Sequence, residues 1–173
     1  MYTGLTKDVC ERALEVVEPA ILAASARGII KRDHGCLVVL DPKIPYEPKY
    51  KTAGPLFEKD VVIFEHQYEG AGSESWEHPY DLIALSKAFI SWKTGLPSRQ
   101  VLMEAPHLYE VDMTKFGGSA VENGLVVAFS GVEEYFDQMI SEMMLAAIKG
   151  VCLHEMFKPD GVMADVDIDF IGG

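Results

Sequence analysis

The sequence predicts an α+β domain in which helices pack against an antiparallel sheet, and three observations carry that prediction. Short β-branched runs are grouped so that hairpin connections suffice between them. Three longer segments place apolar residues at helical spacing. One Asn-Gly pair stands between two short apolar runs, the strongest local signal for a two-residue hairpin. Strands in hairpins separated by helices indicate layers of the α+β kind.

The first helix is expected from Leu5 to Arg27, where Val9, Ala13, Val16, Val17, Ile21 and Ala24 recur at helical spacing. Thr6 is its N-cap, Asp8 lies in its first turn, Gly28 stops it, and Pro19 predicts a kink. After a basic patch at Ile30-Lys31-Arg32-Asp33, the run Gly35-Cys36-Leu37-Val38-Val39-Leu40 reads as a buried strand closed by Asp41-Pro42. Residues 42–60 hold Pro42, Pro45, Pro48 and Pro55 with Tyr46 and Tyr50, which predicts an ordered, extended excursion. Val61 to Tyr68 forms the second strand, followed by a Gly-rich turn or loop from Glu69.

A second helix begins at His78-Pro79, carries Leu82, Leu85, Phe89 and Trp92 on one face and ends at Gly95. A short helical turn from Ser98 to Glu104 leads into an irregular, partly extended stretch, His107 to Val111. Ser119 to Glu122, Asn123-Gly124 and Leu125 to Phe129 form the hairpin, because Asn and Gly accept the positive φ angles of a type I′ turn. The last helix runs from about Val132 to Met156, with Glu133 and Glu134 at its positive end and Ile140, Met143, Ala147, Ile148 and Val151 facing inward. Residues 162–170 alternate with period two and read as a terminal strand or arm. The whole is one domain over 1–173, with an insertion at 42–60 and a C-terminal arm at 157–173.

With 173 residues, 49% hydrophobic and 24% charged, the chain has enough apolar material for a single core. Its 15 Lys+Arg against 27 Asp+Glu leave a formal charge of −12, and no Lys/Arg cluster offers the basic face that nucleic-acid binding requires. No apolar run reaches the roughly 18 residues of a membrane span, and the start lacks the pattern of a signal peptide, so a soluble, cytoplasmic protein without membrane partners is expected. Cys10, Cys36 and Cys152 are odd in number and far apart, which suits reduced thiols.

The second half carries a more specific pattern. Phe116-Gly117-Gly118-Ser119-Ala120-Val121, Asn123-Gly124, Val126 to Gly131 and then Asp137 follow a helix containing Ser86-Lys87-Ala88-Phe89-Ile90-Ser91. In this order, after the Cys36 to Asp41 strand and the strand ending in Gln67-Tyr68-Glu69-Gly70-Ala71, the chain resembles the GlcG/HbpS family, which includes domains like the C-terminal one of PduO. The resemblance covers roughly residues 5–150 and implies a five-stranded antiparallel sheet flanked by helices, with profilin-like layering, in a homo-oligomer. It further implies a small-molecule ligand, with haem or a corrinoid among the family's associations, or a place in a catabolic pathway. The Pro-rich excursion is longer than the family pattern, and Ala120 stands where the family usually has Pro.

A ligand pocket is expected at the Gly-Gly hairpin and the Lys87 helix, lined by Lys87, Phe116, Gly117, Gly118, Ser130 and Gly131. Glycines admit a ligand close to the backbone, and free N–H groups at a helix start hold a carboxylate or propionate; tight turns packed for their own sake are the alternative. Haem would need an axial ligand from among His66, His78, His107, Met103 and Met113, each of which also has an ordinary structural reading. Lys87 pairs either with a ligand carboxylate or with Asp137 or Glu133, by default as a surface ion pair.

The competing class is a cofactor-independent enzyme acting on an organic acid or ring compound, with His66 or His107 as base and Glu69 or Asp137 nearby. On the second strand His66 shares its face with Phe64 and Tyr68, and Glu65 points the other way. An oligomeric accessory protein without chemistry is the third class. Asp165, Asp167 and Asp169 share one face of the tail, but Phe170 stands where a calcium loop needs Gly, so they read as a solvated edge. No metal-binding spacing, nucleophile elbow, phosphate loop or dinucleotide fingerprint occurs, so no metal site is expected.

Overall fold

The computed structural model describes residues 4–32, 34–47, 59–68 and 76–162. Among them the chain forms α1 (Lys7–Ala26), β1 (Gly35–Leu40), β2 (Val62–Tyr68), α2 (Tyr80–Thr94), α3 (Ser98–Glu104), β3 (Ser119–Glu122), β4 (Leu125–Ser130) and α4 (Glu134–Phe157), with short 3₁₀ turns at Lys59–Val61 and Pro106–Leu108. The mixed α+β class is as expected. The described sheet has four strands where the resemblance implies five; it is antiparallel throughout in the order β2-β1-β4-β3. The tail at 163–173 and most of the 42–60 insertion lie outside the described residues, as does Glu69.

Thr6 caps α1 by accepting the Val9 N–H, and Gly28 follows with a φ of 68°. Pro19 lies within α1 and does not end it. Val9, Ala13, Leu14, Val17 and Ile21 face inward, whereas Val16 is exposed. Asn123 and Gly124 both take positive φ between β3 and β4, the turn geometry that their sequence predicts. His107 sits in a 3₁₀ turn, and the stretch after it is irregular, with extended backbone at Tyr109 before a turn at 111–112.

The sheet separates two apolar layers. Leu37, Val39, Val127 and Phe129 face α1 and α4, while Cys36, Val38, Val126 and Ala128 face α2. Both central strands are therefore buried on both faces, and β1 is buried at every position. Such continuous apolar strands are unusual for an antiparallel sheet and require helices on each side. On α2 the layer is made by small residues as much as large ones: Ala84, Ala88 and Ser91 are inside with Leu85 and Phe89, whereas Leu82, expected inside, is 40% exposed.

Small polar groups fix the hairpin between the layers. Ser91 and Ser119 share a hydroxyl hydrogen bond of 2.8 Å, the Ser98 and Ser119 amides each donate to the other's hydroxyl, and Ser141 donates to the Gly118 carbonyl. The described start of the insertion packs on α2, where Trp92 donates to the Ile44 carbonyl and Tyr46 lies edge-on to Phe89 and Trp92. No helix among the described residues is long and apolar enough to cross a membrane.

Candidate functional site

α2 and α4 lie on opposite faces of the sheet, and they meet past the end of β4. Lys87 reaches from α2 and donates to the Phe129 carbonyl at 2.9 Å and to Asp137 Oδ2 at 2.6 Å. Asp137, in the first turn of α4, accepts the Val132 N–H on Oδ1 at 3.0 Å. The pair is buried, with side-chain exposures of 1% and 4%, so the surface ion pair expected for Lys87 is corrected to an interior one. The amides expected to receive a ligand anion at the Ser130-Gly131 loop are also reassigned, since Asp137 itself takes the Val132 N–H.

The glycines make this meeting sterically feasible. A Cβ on Gly131 would stand 2.3 Å from the His34 carbonyl oxygen, so the entry to β1 and the exit from β4 touch there. Gly118, at a φ of 127°, leaves the space that the Asp137 side chain fills. Gly117 lies against Arg99 and donates its N–H to Glu134. Three of the four glycine and serine positions in the expected pocket therefore serve close packing of backbone beneath the ion pair.

Electrostatically the pair is unlike one on a surface. Removal from water pushes the Asp137 carboxyl up to about 6, against the pull of Lys87 and its backbone hydrogen bonds. Burial likewise lowers Lys87, although Asp137 and Glu134 act to raise it. An exposed ion pair shifts each group the other way; here desolvation outweighs mutual attraction, and both partners lean towards their neutral forms.

The pair forms the inner end of a cavity of about 180 Å³. Its apolar wall is Ile83, Phe116 and Val132, and its polar wall includes Tyr80, Ser130 and Glu134. Arg32 and His78 also line it, and Arg32 bonds Glu77 at 3.3 Å on the exposed side. Tyr80 is 4% exposed, and its hydroxyl has no hydrogen-bond partner among the described residues. Burial raises this phenol, with Arg32 opposing and Glu77 and Asp137 adding to the shift, which sets its oxygen within electrostatic reach of the pair. Arg32, Phe116, Val132 and Glu134 are shared with a wider open groove of about 590 Å³ that also touches Lys31 and Tyr135.

Of the residues nominated from sequence, Lys87, Phe116, Ser130 and Asp137 line the cavity, and Gly117, Gly118 and Gly131 form the backbone around it. His66 does not join them: it stands on β2 between Phe64 and Tyr68, 3.7 Å from Glu18 of α1. His107 is exposed on its 3₁₀ turn, Met103 is exposed, and Met113 is buried in the α2-side core. Only His78 among the nominated axial ligands reaches the cavity wall. The cavity's volume of about 180 Å³ is below the roughly 300–1,000 Å³ of pockets for drug-sized ligands.

Arg32, Tyr80, Ile83 and Val132 line the site without having been singled out for it from sequence. The Lys31-Arg32 patch was visible as a basic interruption, but nothing in the spacing joins it to a helix start some 50 positions later; for Tyr80 the sequence carries no signal at all. Comparison with family models gave no match to this chain, and comparison with curated proteins gave none either.

Proposed function

We propose that the chain is a small-molecule-binding protein of the GlcG/HbpS type whose ligand is a compact organic acid held in the cavity between α2 and α4. The observation that carries this reading is the buried Lys87–Asp137 pair bordering a partly open cavity. A buried titratable pair with displaced proton affinities, set beside a partly apolar cavity, is the combination of features that supports a binding site there. Ile83, Phe116 and Val132 suit a short carbon skeleton, and Arg32 stands ready for a carboxylate. Its exposed bond to Glu77 is the kind worth less than about 1 kcal/mol, so a ligand displaces it easily.

The small volume favours an acid over a tetrapyrrole, and His66 and His107 lie away from the cavity, which disfavours a base from either of them there. The test is a thermal-shift and calorimetric panel of short oxo, hydroxy and aromatic acids, run beside a hemin titration. Saturable binding of an acid, weakened at least about tenfold by Arg32→Ala, is expected, as for loss of a charge-assisted bond. A saturating Soret band lost on His78→Ala, with no acid bound, would replace the acid with a tetrapyrrole. Silence from every compound would remove the binding reading.

A further inference from the structure

We propose that Lys87 is the nucleophile of a Schiff-base site, condensing with the carbonyl carbon of a compact oxo acid in the cavity while Asp137 carries the proton. The inference rests on the binding reading above and adds a covalent step to it. Three features converge on the same cavity. Lys87 reaches the cavity wall with two of its N–H bonds held by the Phe129 carbonyl and Asp137, which fixes the nitrogen in place. Asp137 stands at 2.6 Å, within direct proton-transfer distance. The Tyr80 hydroxyl, buried and without a partner among the described residues, lines the same cavity and supplies a donor for a carbonyl or carbinolamine oxygen.

An ion pair packed on every side would leave no room for a reactant beside the nitrogen. This one borders a void. The direction of both proton affinities supports the chemistry, since burial favours the neutral amine and the neutral acid together. The remaining charged groups at the cavity are Arg32 and Glu134, with His78 at the wall; Glu134 is engaged by Arg99 and by the Gly117 amide.

The step balances within the cavity. Asp137 accepts a proton from the Lys87 ammonium, and the amine lone pair forms the C–N bond as the carbonyl π electrons move to oxygen. A proton passes from the attached nitrogen to the oxygen to give the carbinolamine; Asp137 returns its proton as the hydroxyl leaves as water, and the resulting iminium passes its last N–H proton back to Asp137 to give the neutral imine. The sum is amine plus carbonyl to imine plus water, with no oxidant or reductant. Arg32 takes the carboxylate of the oxo acid at the mouth.

The experiment treats the intact chain with pyruvate and then sodium borohydride at pH 7, followed by peptide mapping. The expected result is a reduced adduct on Lys87, with exposed lysines such as Lys31 modified at least about tenfold less, because they lack a buried carboxylic acid at proton-transfer distance. Asp137→Asn should slow trapping by about 100-fold, the scale of a lost acid–base group. Tyr80→Phe should slow it while leaving the melting temperature unchanged, which a purely structural role for the hydroxyl would not produce. Adduct spread evenly over exposed lysines, or none at all with pyruvate or acetone, overturns the proposal. Saturable pyruvate binding without an adduct overturns the covalent step and leaves the binding reading in place. Trapping of acetone at Lys87 without pyruvate binding keeps the nucleophile and removes the acid ligand.

Discussion

Gly118 and Asp137 adjoin so closely that no methyl group fits between them: a Cβ on Gly118 would lie 2.5 Å from the Asp137 Cβ and 3.1 Å from the Lys87 nitrogen. The backbone there also holds a φ of 127°, which side chains rarely adopt. Gly118→Ala therefore combines overpacking with strain, and we expect a loss of about 3 kcal/mol in unfolding free energy, read by urea denaturation. A loss below about 1 kcal/mol would mean that the hairpin and the ion pair are not packed as described.

The ion pair itself makes a sharper test. Lys87→Met or Asp137→Leu alone leaves one buried group uncompensated, and each should cost about 3–5 kcal/mol. The double variant removes both charges and should recover most of that loss, apart from the acceptor that Val132 forfeits. Additive losses in the double variant would show that the two side chains do not depend on each other.

Gly150 gives the opposite expectation to Gly118. It lies in the interior of α4, exposed, with nothing within 4 Å of the position a Cβ would take. Gly150→Ala should raise stability by about 1 kcal/mol through helix propensity alone, seen as a higher denaturation midpoint with an unchanged slope.

How far the sequence reveals this molecule depends on the range of the interaction. The Asn123-Gly124 turn is local, its φ requirement is written in two residues, and the strands on either side follow from it. Helix α1 is also local in origin, through the Thr6 cap and the Gly28 stop. On α2 the apolar period points to Leu82, yet Ala84, Ala88 and Ser91 are inside, because the distance between layers rather than hydrophobicity selects small residues there. Lys87 and Asp137 could each be singled out, but they stand 50 positions apart and only the crossing of both helices past β4 buries them together. Arg32 and Tyr80 join that site solely through sheet order, with β1 set between β2 and β4.

The pH dependence of stability follows from the direction of the Asp137 shift. Its carboxyl titrates at about 6 in the fold and at about 3.9 in an unfolded chain, so the folded state binds the proton more tightly. A raised value contributes stability that is fully present below about pH 4 and is lost as pH rises through about 6. Asp137→Asn abolishes that titration and keeps an acceptor for the Val132 amide. In the variant Lys87 loses its carboxylate partner, so its own proton affinity falls further. A lysine with a depressed value gains stability as pH rises, and the variant therefore becomes relatively more stable at high pH. Both effects have the same sign. The stability advantage of the unmodified chain over Asp137→Asn should shrink by about 2 kcal/mol between pH 4 and pH 7.5, measured by urea unfolding at each pH. An advantage that grows with pH instead would mean that attraction to Lys87 outweighs the loss of water around Asp137, and its carboxyl resonance would then titrate below 4 rather than near 6.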